Sequence, residues 1–116
     1  MLQRFEHLEV WKKSHGLVLE VYRLTANFPN EEKFGLTSQM RRSAVSIPAN
    51  IAEGFKRAGL KDKAHFYNIA QASLEELRYY FILSRDLNYQ IEFEKLSAQA
   101  DEVGKMLYAL ITKTRA

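Results

Sequence analysis

Apolar residues recur at intervals of three and four along most of this chain, which is the spacing of one face of an α-helix. The alternating pattern of a β-strand is absent from the sequence. Breaks divide the helical pattern into four segments, at about 7–27, 37–57, 63–87 and 92–114. Four helices with short connections predict an all-α, antiparallel up-down four-helix bundle, with residues 1–116 forming one domain.

The residues between these segments predict how the helices begin and end. Pro29 prevents the first helix from continuing, and Thr37 or Ser38 is expected to cap the second helix with its hydroxyl group. Asp62 suits the start of the third helix, because an acidic side chain there caps the backbone and complements the helix dipole. Asn88 is expected to end the third helix in the left-handed conformation.

The apolar stripes of two predicted helices are wider than an isolated bundle requires. The fourth helix has one stripe, formed by Phe93, Leu96, Ala100, Val103, Leu107, Leu110 and Ile111. The first helix has two, formed by Leu8, Trp11, Val18 and Tyr22 and by Val10, Leu17, Val21, Leu24 and Phe28. The third has a core stripe formed by Phe66, Ile69, Ala70, Ser73, Leu77, Tyr80, Phe81, Ser84 and Leu87, with Tyr79, Ile82 and Leu83 outside it. A wide core would account for this excess, but exposed apolar surface usually marks an interface, so we expect self-association.

The second helix contains Pro48 and Gly54, although an interior proline costs about 3 kcal/mol and a glycine about 1 kcal/mol. Beside its apolar stripe runs a row of small and hydrogen-bonding side chains, formed by Gln39, Ser43, Ser46, Asn50 and Gly54. Such a row lets another helix approach closely and fixes the register between the two. Pro48 is expected to bend the helix, and Asn50 to bond unpaired backbone groups on its own helix or on a neighbouring one. We predict that this row, with Pro48 and Glu53, determines fold and assembly rather than chemistry.

The net charge of +3 is unevenly distributed. Residues 33–63 contain seven basic and two acidic residues, whereas residues 75–102 contain seven acidic and three basic ones. The basic segment supplies six candidate nucleic-acid-binding residues: Arg41, Arg42, Lys56, Arg57, Lys61 and Lys63. Aromatic residues do not alternate with them, so base stacking is not expected. The alternative is that these cations form a solvated face or pair with the acidic segment of a neighbouring subunit.

The sequence offers little for catalysis or metal binding. It contains no cysteine, which excludes disulfides, thiolate zinc sites and cysteine nucleophiles. The nearest metal-binding pattern, Asp62-x-x-His65, occurs once, and no histidine is expected near Ser43, Ser46 or Ser73. We therefore expect no catalytic residues, no metal and no cofactor, so the protein is predicted not to be an enzyme. The lack of a membrane-spanning apolar run and the acidic N-terminal segment predict a cytoplasmic protein with no membrane partner.

Several strings of this sequence resemble one protein family. The string SIPANIAEG at residues 46–54, with QMRRSA before it and FYNIAQASLEEL after it, is similar to the motif of four-helix-bundle proteins known as 23S rRNA intervening-sequence proteins. The strings LEVWKKSHGLVLEVYRLTANFP and EKFGLTSQMRRSAVSIPANIAEG resemble the first and second helices of that family. The resemblance covers almost the whole chain and is weakest over the fourth helix.

This resemblance implies a left-handed antiparallel four-helix bundle that assembles into a ring-like homo-oligomer, with a pentamer expected. It implies no established enzyme activity and no catalytic residues. A distant branch is the accessory protein of diversity-generating retroelements, which binds RNA and a reverse transcriptase. The first functional hypothesis is therefore an oligomeric accessory protein that binds structured RNA or a nucleic-acid enzyme. The second is a homo-oligomeric scaffold, or protein-interaction module, that binds no nucleic acid.

Overall fold

The computed structural model describes residues 4–115. Four α-helices occupy this part of the chain: α1 (Glu9–Thr25), α2 (Leu36–Lys56), α3 (Leu60–Asp86) and α4 (Phe93–Thr112). Short 3-10 turns lie at Phe5–His7 and Asn30–Glu32, and the described residues contain no β-strand. The prediction of an all-α protein with four helices is confirmed, and each helix begins and ends within three residues of its predicted position. Within residues 4–115, no helix has the length and apolar character needed to cross a membrane.

Each helix packs against the next one along the chain, and α4 closes the arrangement by packing against α1. The contact between α2 and α3 is the most extensive of the four, and the contact between α1 and α4 is the least extensive. Ser46 of α2 meets Ser73 of α3, and Gly54 meets Tyr67, so the contacts follow opposite chain order along the two helices. The resulting bundle measures 45 × 24 × 21 Å.

The core lies between the four helices and largely follows the predicted stripes. All seven positions of the α4 stripe are buried or half-buried. In α1 the stripe that contains Leu17 and Val21 is in the core, whereas Tyr22 of the other stripe is exposed. In α2 the side chains of Met40, Ala44, Ile47 and Ile51 are fully buried. Periodicity therefore identifies most of the core in α1, α2 and α4.

In α3 the predicted core stripe is wrong at two positions. Ile69 and Leu87 are exposed, and Tyr67 and Leu74 are buried instead. Tyr67 packs against Gly54 of α2, and Leu74 packs toward α4. The buried side of α3 is thus set by the two helices that contact it, which the periodicity of α3 alone does not specify.

The predicted caps of α2 and α3 are also wrong. Neither Thr37 nor Ser38 caps α2, because the helix begins at Leu36, whose amide donates to Oε1 of Glu32 at 3.0 Å. Helix α3 begins two residues before Asp62, which therefore lies inside the first turn and makes no capping hydrogen bond. Both helices begin earlier than their residue types indicate, so the expected capping residues lie within the helices.

The predicted end of α3 is confirmed. Asn88 has a φ angle of 65°, in the left-handed region. Its amide donates to the carbonyl of Arg85, and the amide of Tyr89 donates to the carbonyl of Ser84, each at 3.0 Å. These two bonds are the Schellman pattern, which satisfies carbonyl groups left free at a helix end. The turn brings the ring of Tyr89 to 5.0 Å from the ring of Phe28.

Candidate interaction surfaces of α2 and α3

Two members of the row of small side chains on α2, Ser46 and Gly54, contact α3 of the same chain. Ser43 and Gly54 are buried, and Ser46 and Asn50 are half-buried. The hydroxyl of Ser73 in α3 donates to Oγ of Ser46 at 2.8 Å. The close helix approach predicted from this row therefore occurs within one chain, between α2 and α3.

Gly54 accommodates an aromatic ring. A Cβ atom at this position would lie 2.5 Å from Cε1 and 2.8 Å from Cδ1 of Tyr67. Tyr67 is only 2% exposed, so its ring has little room to move away. The same burial raises the pKa of the Tyr67 phenol, which favours its neutral form. Gly54 is thus required by the packing of α3 against α2.

Asn50 bonds to its own helix. Helix α2 continues through Pro48, which is buried. Two residues later, the side-chain amide of Asn50 donates to the carbonyl oxygen of Ser46 at 2.8 Å and to its Oγ at 3.0 Å. The partner of Asn50 therefore lies within α2, but it is not the carbonyl that Pro48 deprives of a donor, which is that of Ala44. Because Oγ of Ser46 also accepts from Ser73, these side chains form one hydrogen-bonded group between α2 and α3.

A second polar group joins α2 to α3 nearer the N-terminal end of α2. Arg42 forms an ion pair with Glu76 of α3, and its Nε donates to the exposed Gln39 at 3.0 Å. The hydroxyl of Tyr80 donates to Oε2 of Glu76 at 2.6 Å. This bond to a carboxylate raises the pKa of Tyr80. Arg42 is therefore paired within its own chain, although its side chain remains exposed.

Two more of the six candidate cations have structural contacts. The guanidinium group of Arg41 lies 4.5 Å from the ring centre of Tyr22, and its Nε donates to Thr25 at 2.9 Å, which ties α2 to α1. The ammonium group of Lys63 donates to the carbonyl of Phe55 at 2.8 Å. It also donates to the carbonyl of Gly54 at 3.2 Å, so Lys63 caps the C-terminal end of α2.

The turn between α2 and α3 contains the other three cations. Arg57 lies 3.2 Å from Glu53 and 4.6 Å from the ring centre of Phe66. Lys56 and Lys61 are exposed and form no ion pair within residues 4–115. The aromatic rings of Phe55 and Phe66 thus lie among these cations. From the sequence, no aromatic residue was expected to alternate with the cations. Side chains from two helices meet at this turn, and their proximity does not follow from their order in the chain.

The structure divides the six cations between two places. Arg41 and Arg42 lie in the first half of α2, whereas the other four lie at the turn between α2 and α3. Lys56 lies fourteen positions after Arg42, and at a rise of 1.5 Å per residue this is about 21 Å along the helix. We name the second place the basic turn, formed by Lys56, Arg57, Lys61 and Lys63.

Exposed apolar side chains from α1, from the connector before α2 and from α2 itself meet beside α2. They border a groove of about 730 Å³ that we name the α2 groove, lined by Tyr22, Phe34, Arg41, Arg42, Val45 and Ala49. Phe34 is 87% exposed and Val45 is 41% exposed. Neither exposed side chain was predicted from the sequence, because Phe34 lies in a connector without periodicity and Val45 is a single residue outside its helix stripe. The groove also contains Lys33.

A second surface with exposed apolar residues lies on α3. We name it the α3 outer face, formed by Glu75, Tyr79, Ile82 and Asp86, which recur at helical spacing and are all exposed. Tyr79 and Ile82 are outside the core, as predicted. Leu83 was predicted to accompany them, but it is half-buried against the core.

Residues 4–115 contain no group of three or more His, Asp or Glu side chains close enough together to hold a metal ion. Ser43 donates to the carbonyl of Met40 at 3.1 Å, and Ser46 and Ser73 bond to each other. These serines therefore take part in helix packing.

The family of the chain follows from a comparison with family models. Residues 6–109 match the model of the 23S rRNA-intervening sequence protein. The chain belongs to this family. The resemblance seen in SIPANIAEG is thereby confirmed.

A solved structure extends the comparison. The protein is similar to a protein of unknown function from the S23 ribosomal protein family of Bacteroides thetaiotaomicron, with 28% identity and a TM-score of 0.81. The alignment covers 89% of this chain and 95% of that one. No curated protein matches the chain.

In this 23S rRNA-intervening sequence protein, the string SIPANIAEG lies entirely within α2. Ile47 and Ile51 are fully buried in the core, Ser46 and Gly54 contact α3, and Asn50 donates to Ser46. The contacts of the motif are thus packing and hydrogen bonds within one chain, which supports a role in the fold.

Proposed function

We propose that this protein is a non-enzymatic, homo-oligomeric scaffold built from a self-associating helical bundle. The observation that carries the proposal is the exposed apolar surface of the α2 groove. Phe34 and Val45 lie there beside the exposed ring of Tyr22. Exposed apolar side chains that share one groove are typical of a protein interaction site. The exposed Tyr79 and Ile82 on α3 provide a second such surface.

The proposal includes an antiparallel up-down bundle that assembles into a closed ring, with five subunits. The order of contacts supports the antiparallel arrangement, since Lys13 of α1 pairs with Glu102 of α4, and Glu20 of α1 pairs with Lys95. The family resemblance supports the ring and its expected number of subunits. We also propose a cytoplasmic location, which the cysteine-free sequence supports.

Light scattering during size-exclusion chromatography tests the scaffold. We expect a mass of several chains that stays constant when the protein is diluted. A mass of one chain at every concentration would contradict self-association.

A second candidate function is the binding of structured RNA, or of a nucleic-acid enzyme, by the assembled protein. The basic turn favours it, because Lys56 and Lys61 are exposed and have no ion pair within the described residues. An oligomer repeats this turn once per subunit, and repeated weak contacts bind a long ligand more strongly than a single one. Phosphate contacts of this kind weaken steeply as salt rises.

Fluorescence anisotropy with a labelled structured RNA, titrated at several salt concentrations, tests the second candidate. The Lys56→Glu/Lys61→Glu variant should bind more weakly, and the slope of log affinity against log salt should fall by about 1 per lost phosphate contact. The matched control is Lys12→Glu/Lys105→Glu, whose residues line grooves that α4 forms with α1 and α3. Equal weakening by both double variants would mean that net charge, and not the basic turn, binds the RNA.

A further inference from the structure

The α2 groove has a basic character. It contains Lys33, Arg41 and Arg42, of which only Arg42 forms an ion pair within residues 4–115, with Glu76 of α3, and none of the described residues that line it is acidic. Phe34 and Val45 provide exposed apolar surface between these cations. A partner for this groove needs both apolar side chains and carboxylates.

The α3 outer face has those two properties. Tyr79 and Ile82 are its apolar residues, and the side chains of Glu75 and Asp86 are 72% and 60% exposed. Two cations are close to these acids in sequence: Arg78 follows Glu75 by three residues, and Arg85 directly precedes Asp86. Both lie only at the edge of the α3 outer face.

Both arginines are held on the α4 side of α3. Arg78 forms an ion pair with Asp101 of α4, and Arg85 lies 4.3 Å from the ring centre of Phe93. Arg78 also lies 3.6 Å from Glu75, and Arg85 lies 3.0 Å from Asp86. Each acid thus has one cation beside it and leaves its other side open to solvent.

We propose that copies of this chain join head to tail, with the α2 groove of one subunit packed on the α3 outer face of the next. The inference rests on the self-association proposed above and adds the surfaces that carry it. Two α2 grooves placed together would oppose cations, and two α3 outer faces would oppose Glu75 and Asp86. The mixed contact instead pairs opposite charges around apolar residues, which favours the correct partner and register.

The proposed contact uses two different surfaces, so every subunit offers one free groove and one free face. Such a heterologous contact continues from subunit to subunit until the ring closes. Because α2 and α3 pack against each other, the two surfaces lie on neighbouring helices of the bundle.

Matched variants test each surface separately. Val45 and Ile82 are each 41% exposed, so a charge at either position is compatible with the fold. Val45→Glu places an acid opposite the acids of the α3 outer face, and Ile82→Lys places a cation opposite the α2 groove. Each variant alone should elute with the mass of one chain and keep the helical circular dichroism of the wild type. Phe34→Glu and Tyr79→Lys should repeat the result.

Mixing the two variants distinguishes a head-to-tail contact from a symmetric one. The Ile82→Lys chain keeps an intact groove, and the Val45→Glu chain keeps an intact outer face. An equimolar mixture should therefore form complexes that contain both chains, with a mass of two chains or more. A symmetric contact between grooves would leave the Ile82→Lys variant fully assembled by itself.

The control position is Leu19, which is 53% exposed and lines the groove between α1 and α4. Leu19→Glu and Leu19→Lys should keep the mass of the wild type. A monomeric wild type would overturn the scaffold itself. If the wild type assembles and both Val45→Glu and Ile82→Lys keep its full mass, only the head-to-tail inference is overturned. It is also overturned if just one of these two variants loses assembly.

Discussion

Gly54 of α2 lies directly against the ring of Tyr67 in α3, with 2.5 Å between the ring and the position of a Cβ atom. Alanine favours a helix over glycine by about 1 kcal/mol, but here its methyl group would displace a buried ring. We expect Gly54→Ala to lower the free energy of unfolding by about 1–3 kcal/mol, the usual cost of overpacking a core. Urea denaturation at one fixed protein concentration measures this change.

Gly16 provides the control, because a Cβ atom there meets nothing within 4 Å. Gly16→Ala should raise the free energy of unfolding by up to about 1 kcal/mol, since it changes helix propensity alone. In a Tyr67→Leu background, Gly54→Ala should cost less, because the obstructing ring is gone. Equal stabilisation by Gly16→Ala and Gly54→Ala would show that the ring does not restrict position 54.

What sequence reveals about single residues depends on where their partners are. The left-handed Asn88 was predictable, because the preference for that conformation belongs to the residue itself. The partner of Gly54 was not, because the ring of Tyr67 arrives from α3 and its position follows from how the two helices pack. The exposure of Phe34 was missed for a similar reason, since a connector has no periodic pattern from which burial can be inferred.

At the scale of helices, Glu32 connects the start of α2 to the turn that follows α3. Its Oε1 accepts a hydrogen bond from the Leu36 amide at 3.0 Å, and its Oε2 accepts one from the Tyr89 hydroxyl at 2.8 Å. Hydrogen bonds from the Leu36 amide and from Tyr89 hold the pKa of Glu32 below its ordinary value. The bond to Glu32 raises the pKa of Tyr89. The ionised carboxylate therefore stabilises the folded state.

Replacing this carboxylate should make stability less dependent on pH. Because the pKa of Glu32 is lower in the folded chain, its contribution is complete above the ordinary pKa of a glutamate and is lost as pH falls through the lowered value. Glu32→Gln should lower the free energy of unfolding by about 1 kcal/mol at neutral pH, as expected for a lost helix cap. Thermal unfolding from neutral to acidic pH should show this difference shrinking toward acid.

Glu31 lies in the same 3-10 turn and makes no capping bond to α2, so Glu31→Gln is the matched control. Its stability should follow that of the wild type across the whole pH range. A Glu32→Gln protein whose deficit persisted unchanged in acid would show that packing, rather than charge, accounts for the effect.

Helix number and position follow from periodicity, because apolar residues recur at helical spacing in all four segments. The residue at which a helix starts is harder to predict from periodicity. The donor at Leu36 is satisfied by Glu32, four residues earlier in a connector whose conformation no pattern specifies. The candidate cations show the same limit, since a run of basic residues in sequence became two separate places about 21 Å apart along α2.

At the scale of the whole molecule, the four helix contacts are unequal. Helices α2 and α3 are the longest and share the most extensive contact, with fully buried side chains such as Ile47 and Leu77. The contact between α1 and α4 is the least extensive. In that groove Oε1 of Gln99 is buried without a hydrogen-bond partner among residues 4–115, an arrangement that costs free energy. The bundle should therefore open first between α1 and α4.

Hydrogen exchange followed by mass spectrometry would test this order of opening. Amides in the central turns of α2 and α3 should exchange most slowly, because they open only when most of the bundle unfolds. Amides of α4 should exchange earlier, through separation from α1 that leaves the α2–α3 pair intact. The experiment should use the Val45→Glu variant, which is expected to be monomeric, so that contacts between subunits do not protect α2 and α3. Protection of α4 equal to that of α2 would mean that the four helices open as one unit, and the unequal contacts would then have no bearing on stability.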